Sequence, residues 1–281
     1  EEVIEKAEQL EQNENNAKEE QEDNNTPVEE NKEEGIEKTE KEIIESEKIV
    51  DEITIIQISD LHGSSFGRNN KELIKKIEKE KPDIICVTGD MYTAKDEKGK
   101  QIALKLLKEL AKSYKVYFVN GEHDCDEKFI QNLKDNEVNV LDYKKEIIAI
   151  KNTKINLYGI TNQYYSATFD LKNAFEINKE EYNILLAHIS NFEEFEQFGI
   201  DLSLCGDTHG GQVRLPFLGA IINRGIWFPE IVQKGLNVET NYIKGLYSIN
   251  NSYLYVSSGL GNYPISIRLF NRPEIAVIKL R

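Results

Sequence analysis

From Ile53 to Val119 the chain alternates short β-branched apolar runs with segments whose apolar residues recur at helical spacing, and this alternation constrains the fold more than any other feature. Ile53–Ile58, Ile84–Val87 and 116–119 read as buried strands. Between them, Lys71–Glu80 carries Leu73, Ile74 and Ile77 on one helical face, and 101–114 carries Ile102, Leu106 and Leu110. Asn70 stands where it would cap the first helix and Pro82 where it would end it. Strand, helix, strand, helix in that order predicts an α/β fold. Farther along, 138–141, 147–150 and 155–160 alternate in the manner of antiparallel strands. Two more buried runs follow at 184–187 and 202–205, and strand character returns at 246–249, 253–257 and 275–280. A two-sheet β-sandwich flanked by helices accommodates this order.

The first fifty residues do not share the pattern. They hold 19 acidic and 6 basic residues and no aromatic side chain, so most of the net charge of −15 is concentrated there. Such a stretch buries too little apolar area to offset the entropy of ordering, and residues 1–50 are expected to be disordered or transiently helical. The helical version rests on the Glu and Lys content of 33–48. Residues 53–281 are then the folded domain. An acidic segment on a nearly neutral body argues against nucleic acid as a partner, because such binding rests on Lys and Arg neutralising phosphates. No apolar run approaches the roughly 20 residues that span a bilayer. The start at Glu1 leads us to expect an upstream segment, with a possible membrane tether there.

Each buried strand ends in a polar cluster: Ser59-Asp60-Leu61-His62, Thr88-Gly89-Asp90, Asn120-Gly121-Glu122-His123-Asp124, His188, and Gly206-Asp207-Thr208-His209-Gly210-Gly211-Gln212. Carboxyl ends of strands in an open α/β sheet converge on one crevice, so these clusters can meet. The chain has 4 histidines and all of them lie in these clusters. One histidine at a strand end is commonly structural, but four beside carboxylates and glycines point to metal ligation. Imidazole and carboxylate donors suit zinc, iron or manganese, and a shared carboxylate suits two ions.

These blocks, in this order, resemble the calcineurin-like metallophosphoesterase superfamily, and the run 213–219 with Ser258–Gly261, Arg268 and 271–274 is similar to its bacterial YkuE-like branch. The resemblance implies an α/β/β/α four-layer fold and a metal-dependent phosphohydrolase, of phosphomonoesters or phosphodiesters, with a bridging hydroxide as nucleophile. It implies that Asp60, His62 and His209 hold a first metal, that Asp90 bridges, and that His188 holds a second, joined by Glu122 and Asp207. It assigns His123 to the leaving-group oxygen. Members of the branch act at the cell envelope, which implies an extracytoplasmic or membrane-tethered protein, with a cytoplasmic one as the alternative. A phosphoester small molecule or a lipid-linked substrate is the expected partner.

Two positions depart from the family's pattern: Glu122 stands where Asn is usual, and Asp207 where His is usual. Both replace a neutral donor with an anion. The second site is therefore expected to favour manganese or iron and to shift activity to higher pH. The alternative is a catalytically silent metal-binding or interaction protein that retains the fold.

Arg68 and Arg214 are candidates for gripping substrate phosphate, as is Arg268, against a scaffold role for each. The apolar run 216–222 with Trp227 and Phe228 reads first as core and second as a flap over the site. Cys86 and Cys205 lie in apolar runs and read as buried. Cys125, near His123, is a possible soft ligand, with the hard donor set already complete.

Overall fold

The computed structural model describes residues 38–161, 171–223, 225–236 and 242–281. In chain order the elements are β1 (Lys38–Ile44), β2 (Ile53–Ile58), α1 (Lys71–Glu80), β3 (Ile84–Val87), α2 (Glu97–Ala111), β4 (Lys115–Phe118), α3 (Glu127–Lys134), β5 (Asn139–Val140), β6 (Lys144–Ile150), β7 (Thr153–Gly159), α4 (Leu171–Ala174), β8 (Tyr182–Leu186), α5 (Phe192–Phe198) and β9 (Leu202–Cys205). Then come β10 (Arg214–Leu215), β11 (Gly219–Ala220), β12 (Ile222–Asn223), β13 (Ile226–Trp227), α6 (Pro229–Leu236), β14 (Gly245–Ile249), β15 (Ser252–Val256) and β16 (Glu274–Leu280).

Two six-stranded sheets dominate, ordered β1-β16-β2-β3-β4-β5 and β14-β15-β9-β8-β7-β6. In the first sheet β2, β3, β4 and β5 run parallel, and β16 is antiparallel to β2. In the second, β7, β8, β9 and β15 run parallel, with β6 and β14 antiparallel at the edges. Three apolar clusters separate the layers. Ile56, Ile58, Ile85, Val87 and Phe118 pack with Leu73, Leu106 and Phe129 of the helices on one outer face. Ile55, Cys86, Tyr117, Ile184, Leu204 and Tyr255 fill the space between the sheets. Leu185, Cys205 and Val256 meet Phe192, Phe195 and Phe198 of α5 on the other face. This is the expected four-layer α/β/β/α arrangement. Strands buried on both faces read as continuous apolar runs because alternate side chains enter different cores.

The two sheets are also joined by polar contacts. Gln57 is fully buried on β2, and its Nε2 donates to Thr88 Oγ1 at 2.9 Å and to the Cys205 carbonyl at 2.8 Å. That cross-link fixes the ends of β2, β3 and β9 relative to one another, and those ends carry the polar clusters.

Two local expectations are corrected. Part of the segment expected to lack packed structure forms β1, which lies parallel to β16 from Lys38↔Glu274 to Ile44↔Leu280. The open edge of β16 offers backbone partners that outweigh the helix propensity of Glu and Lys, and Ile44 and Ile49 enter the core between the sheets. Asn70 precedes α1 but makes no capping bond; its Oδ1 accepts instead from the Phe66 amide at 2.8 Å. Among the described residues no helix is long and apolar enough to cross a membrane.

Candidate metal centre

The strand ends turn sharply at the site, and the backbone records it. Asp60, His62, Asp90, Asp207 and His209 all adopt positive φ, between 44° and 71°. For residues with a Cβ this left-handed conformation costs on the order of 1 kcal/mol or more each, and it persists only where surrounding bonds enforce it. Here they do. The amides of Asp60, His62 and Gly63 donate to the carbonyls of Gly89, Asp90 and Met91 at 2.9 to 3.1 Å, so the loops after β2 and β3 run together. Gly206 N donates to the His188 carbonyl at 2.9 Å, and Asp207 N donates across the sheets to Asp60 Oδ1 at 3.1 Å. A Cβ on Gly206 would collide with Ser59 Oγ and lie 2.6 Å from Asp60 Oδ2, so only glycine allows this approach.

The side chains gather into two groups able to hold a cation: Asp60 with His62 and His209, and Asp60 with Asp90 and His188. All five are buried. His62 Nε2 lies 3.2 Å from His209 Nε2, and His209 Nε2 lies 3.6 Å from Asp60 Oδ1. His188 Nε2 lies 3.2 Å from Asp90 Oδ2 and 4.0 Å from both Asp60 Oδ1 and Asp207 Oδ1. Asp90 Oδ2 is 3.9 Å from His62 Nε2. Both Asp60 and Asp90 therefore stand between histidines, although the resemblance gave the bridge to Asp90 alone.

The charges make this donor set fit a cation. His188 donates from Nδ1 to the Thr88 carbonyl at 2.6 Å, which directs its buried Nε2 at the Asp90 carboxylate 3.2 Å away. An imidazole nitrogen facing three carboxylates needs positive charge between them, supplied by a proton or a metal ion. Burial opposes that proton, but the Asp90 and Asp60 carboxylates raise the His188 pKa well above its ordinary value. Burial pushes Asp60 up to about 7, with Asp90 adding to the effect. For Asp90 burial works the other way from the outcome: the neighbouring His188 charge and the His123 amide hold its carboxyl low. Burial, then the neighbouring His209, lowers His62 to about 3, and burial, then Arg268 and His188, lowers His209 to about 4. Both rings stay neutral, as metal ligands must.

The remaining expected residues fall at varying distance from this cluster. Asp207 is half-buried and reaches His188 only at 4.0 Å. Glu122 is exposed and belongs to neither group. His123 is half-buried; its Nδ1 accepts from the Ala94 amide at 3.3 Å, and its own amide donates to Asp90 Oδ1 at 2.9 Å. Arg68 is exposed. Arg214 is engaged in the scaffold, with Nη1 donating to the Gly210 carbonyl at 2.9 Å and Nη2 paired with Glu230 at 2.8 Å. Arg268 is buried and donates to the Ser258 carbonyl at 2.7 Å and to Asn262 Oδ1 at 2.8 Å. Cys125 is exposed and stands outside both groups.

Two residues take parts in the site that the sequence did not assign: Tyr263 and, within a cluster already noted, Asp124. Tyr263 stacks on His62 with centroids 4.9 Å apart and meets the edge of His123 at 4.4 Å. Buried Asp124 accepts from the Gly121 amide at 2.7 Å and the Met91 amide at 2.8 Å, tying the β4 loop to the β3 loop. The proximity of Asp124 to His123 in sequence was a usable signal for the second; nothing in sequence marked the first.

The profile of the family described as calcineurin-like phosphoesterase matches residues 53–211. The metallophosphoesterase YkoQ of Bacillus subtilis is 28% identical over 231 residues, covering 79% of this chain and 82% of that protein. YkuE of the same organism is 28% identical over 246 residues, covering 82% and 80%. The phosphodiesterase YaeI of Escherichia coli is 27% identical over 235 residues, covering 80% and 81%. With a match that runs from β2 through the His209 loop, the chain belongs to the calcineurin-like phosphoesterase family and is a phosphoric ester hydrolase.

Proposed function

We propose that the chain hydrolyses a phosphodiester with two metal ions, manganese, iron or zinc, held on either side of Asp60 and Asp90. Asp60, His62 and His209 would hold one ion. Asp90 and His188 would hold the other, with Asp207 and Glu122 as its further ligands. When bound, the pair supplies Lewis-acid polarisation of the phosphoryl oxygens and the positive charge that favours ionised water as nucleophile. The observation that carries this reading is His188 Nε2, buried and facing the carboxylates of Asp90, Asp60 and Asp207 at 3.2 to 4.0 Å.

His123 is the proposed hydrogen-bond donor to the departing oxygen, stabilising the charge that develops there. Its Nδ1 lone pair is used by the Ala94 amide, so the neutral ring carries its proton on Nε2. The edge contact with Tyr263 limits where that ring can turn. Such a donor contributes about 10²–10³-fold to rate. Because the His123 amide donates to Asp90, this donor and the central carboxylate are positioned together. Arg214 is occupied at the rim, which leaves exposed Arg68 as the guanidinium proposed for substrate phosphate. Diester preference follows the phosphodiesterase name of the Escherichia coli relative. An extracytoplasmic, membrane-tethered location is proposed as well, with the acidic residues ahead of β1 as a spacer.

The test is elemental analysis of the purified full chain, with turnover of one monoester and one diester reporter under manganese, iron and zinc. A two-ion stoichiometry and diester turnover are expected, both lost in Asp90→Asn. Absence of bound ion together with absence of turnover under every metal would sink the reading.

A further inference from the structure

Most of the apolar run read as core is not buried, Ala220 excepted. Phe217 is fully exposed at the β10–β11 turn, Trp227 is 63% exposed on β13, and Phe270 is 67% exposed on the loop before β16. Leu218, Ile231 and Ile267 are exposed beside them. Backbone bonds join these segments into one surface: Arg214 N donates to the Leu269 carbonyl, Ile221 N to Val213, and Phe228 N to Ile221. Phe217, Leu218, Ile231 and Phe270 line one groove there. The surface borders the metal centre, since the Gln212 amide donates to the His209 carbonyl at 3.0 Å and Gln212 Nε2 reaches the Ile265 carbonyl of the loop that carries Tyr263.

We propose that this rim seats the mouth of the metal centre on an anionic lipid bilayer, so that the phosphoester cleaved is one presented at that surface. The substrate part rests on the hydrolase reading above; the docking part does not.

Contiguous exposed aromatic and aliphatic side chains on a soluble body mark a surface that something covers. Charge selects what. Among the described side chains this rim carries Arg214, Arg268 and Arg272 against Glu230, which pairs with Arg214, in a chain of net charge −15. A second copy brought to this face would add like charge around it, whereas an anionic lipid surface attracts a locally basic face of an acidic chain. A protein partner would also close the opening to the metals. A bilayer fits a protruding aromatic turn as an interfacial wedge and holds phosphoester headgroups at the same depth.

Trp227 is the only tryptophan, so intrinsic fluorescence reads this rim alone. The purified full chain is mixed with vesicles of phosphatidylglycerol and phosphatidylcholine in equal parts, and with vesicles of phosphatidylcholine only. A blue shift and co-sedimentation with the anionic vesicles are expected, weakened by salt. Phe217→Ser and Phe270→Ser should each reduce partitioning by about tenfold. Their exposed positions leave the fold intact, which thermal unfolding checks. No shift with either vesicle, equal binding to both, or binding untouched by both substitutions overturns the proposal. So does a concentration-dependent shift without lipid, which assigns the rim to a second copy. Vesicle binding without reporter turnover would instead remove the hydrolase reading and leave docking in place.

Discussion

The Nε2 atoms of His62 and His209 face each other at 3.2 Å inside a buried pocket. His62 also has Thr93 Oγ1 within 3.1 Å of Nδ1, where a hydroxyl can accept its ring proton and leave the Nε2 lone pair directed at the pocket. With the pKa values lowered to about 3 and about 4, neither ring takes a proton at neutral or mildly acid pH. These two rings are ready for a cation. Asp60, which both halves share, and His188 are not, because both are raised.

That asymmetry fixes the sign of a pH effect. Below about 7 the metal-free chain holds a proton on Asp60, and His188 holds one to higher pH. A bound ion displaces both, so protons compete with metal and affinity rises with pH. One to two protons released corresponds to about tenfold to hundredfold tighter binding per pH unit below neutrality. Metal titration by calorimetry at pH 6 and 8, repeated in buffers of different ionisation enthalpy, measures the number released. Affinity that does not depend on pH would contradict the proton placement.

Gly121 tests how closely the β4 loop must approach the centre. A Cβ there would collide with Asp90 Oδ1 and sit 2.7 Å from its Cγ. Gly121→Ala should push that carboxylate aside and weaken the Asp90–His188 group while the Asp60–His62–His209 group survives. Outer-shell changes alone cost about 10–100-fold in affinity or activity, and displacing a ligand should cost no less. Metal analysis is expected to show one ion retained and one lost.

Asp124→Ala probes the fold beneath the site. Removing its carboxylate leaves the Met91 and Gly121 amides without their partner in a buried place. Each stranded donor costs about 1–3 kcal/mol, so chemical denaturation of the metal-free chain should show a loss of about 2–6 kcal/mol. Asp124→Asn keeps one acceptor and should recover part of it. A loss under 1 kcal/mol in the alanine variant would mean that the loops are held by other bonds.

The legible parts of the fold were those with local periodicity. Ile53–Ile58 and Lys71–Glu80 were read with their observed limits because each buries a regular face. α2 begins at Glu97, ahead of the expected 101, because Asp96 caps a first turn that is charged and carries no apolar signal. β1 was missed for a different reason: its partner β16 lies at the other end of the chain, and acidic residues that favour a helix locally are overruled by that pairing. The donor set was legible because all four histidines sit at strand ends. The aim of each side chain was not. Glu122 and His123 are neighbours, yet the turn exposes the first and directs the second toward Tyr263. The rim misled the reading because a run such as 216–222 looks the same in sequence whether it is core or surface.

Tyr263 contributes a ring face rather than a charge, and two substitutions separate its parts. Stacking on His62 at an interplanar angle of 10° and edge contact with His123 at 70° both need the ring, not the hydroxyl. Tyr263→Phe should therefore keep turnover within about threefold, since only an exposed hydroxyl is lost. Tyr263→Ala frees His123 to turn and should lower kcat on the order of tenfold with little change in metal content. A hydroxyl that matters more than the ring would reverse the two results.

Asp207 stands where a neutral donor is usual in the family, 4.0 Å from His188 Nε2. Its carboxylate adds negative charge beside the position where water must ionise, and negative charge opposes that ionisation. Asp207→His removes the charge and keeps a metal donor, so the acid limb of the kcat profile should move to lower pH. An added charge at such a distance in a partly buried site is worth on the order of one pH unit. The shift should appear with manganese and with zinc alike, because it follows from the charge of the protein rather than from the identity of the ion. A profile that stays in place while turnover falls would show that Asp207 acts as a ligand whose charge the bound ions already screen.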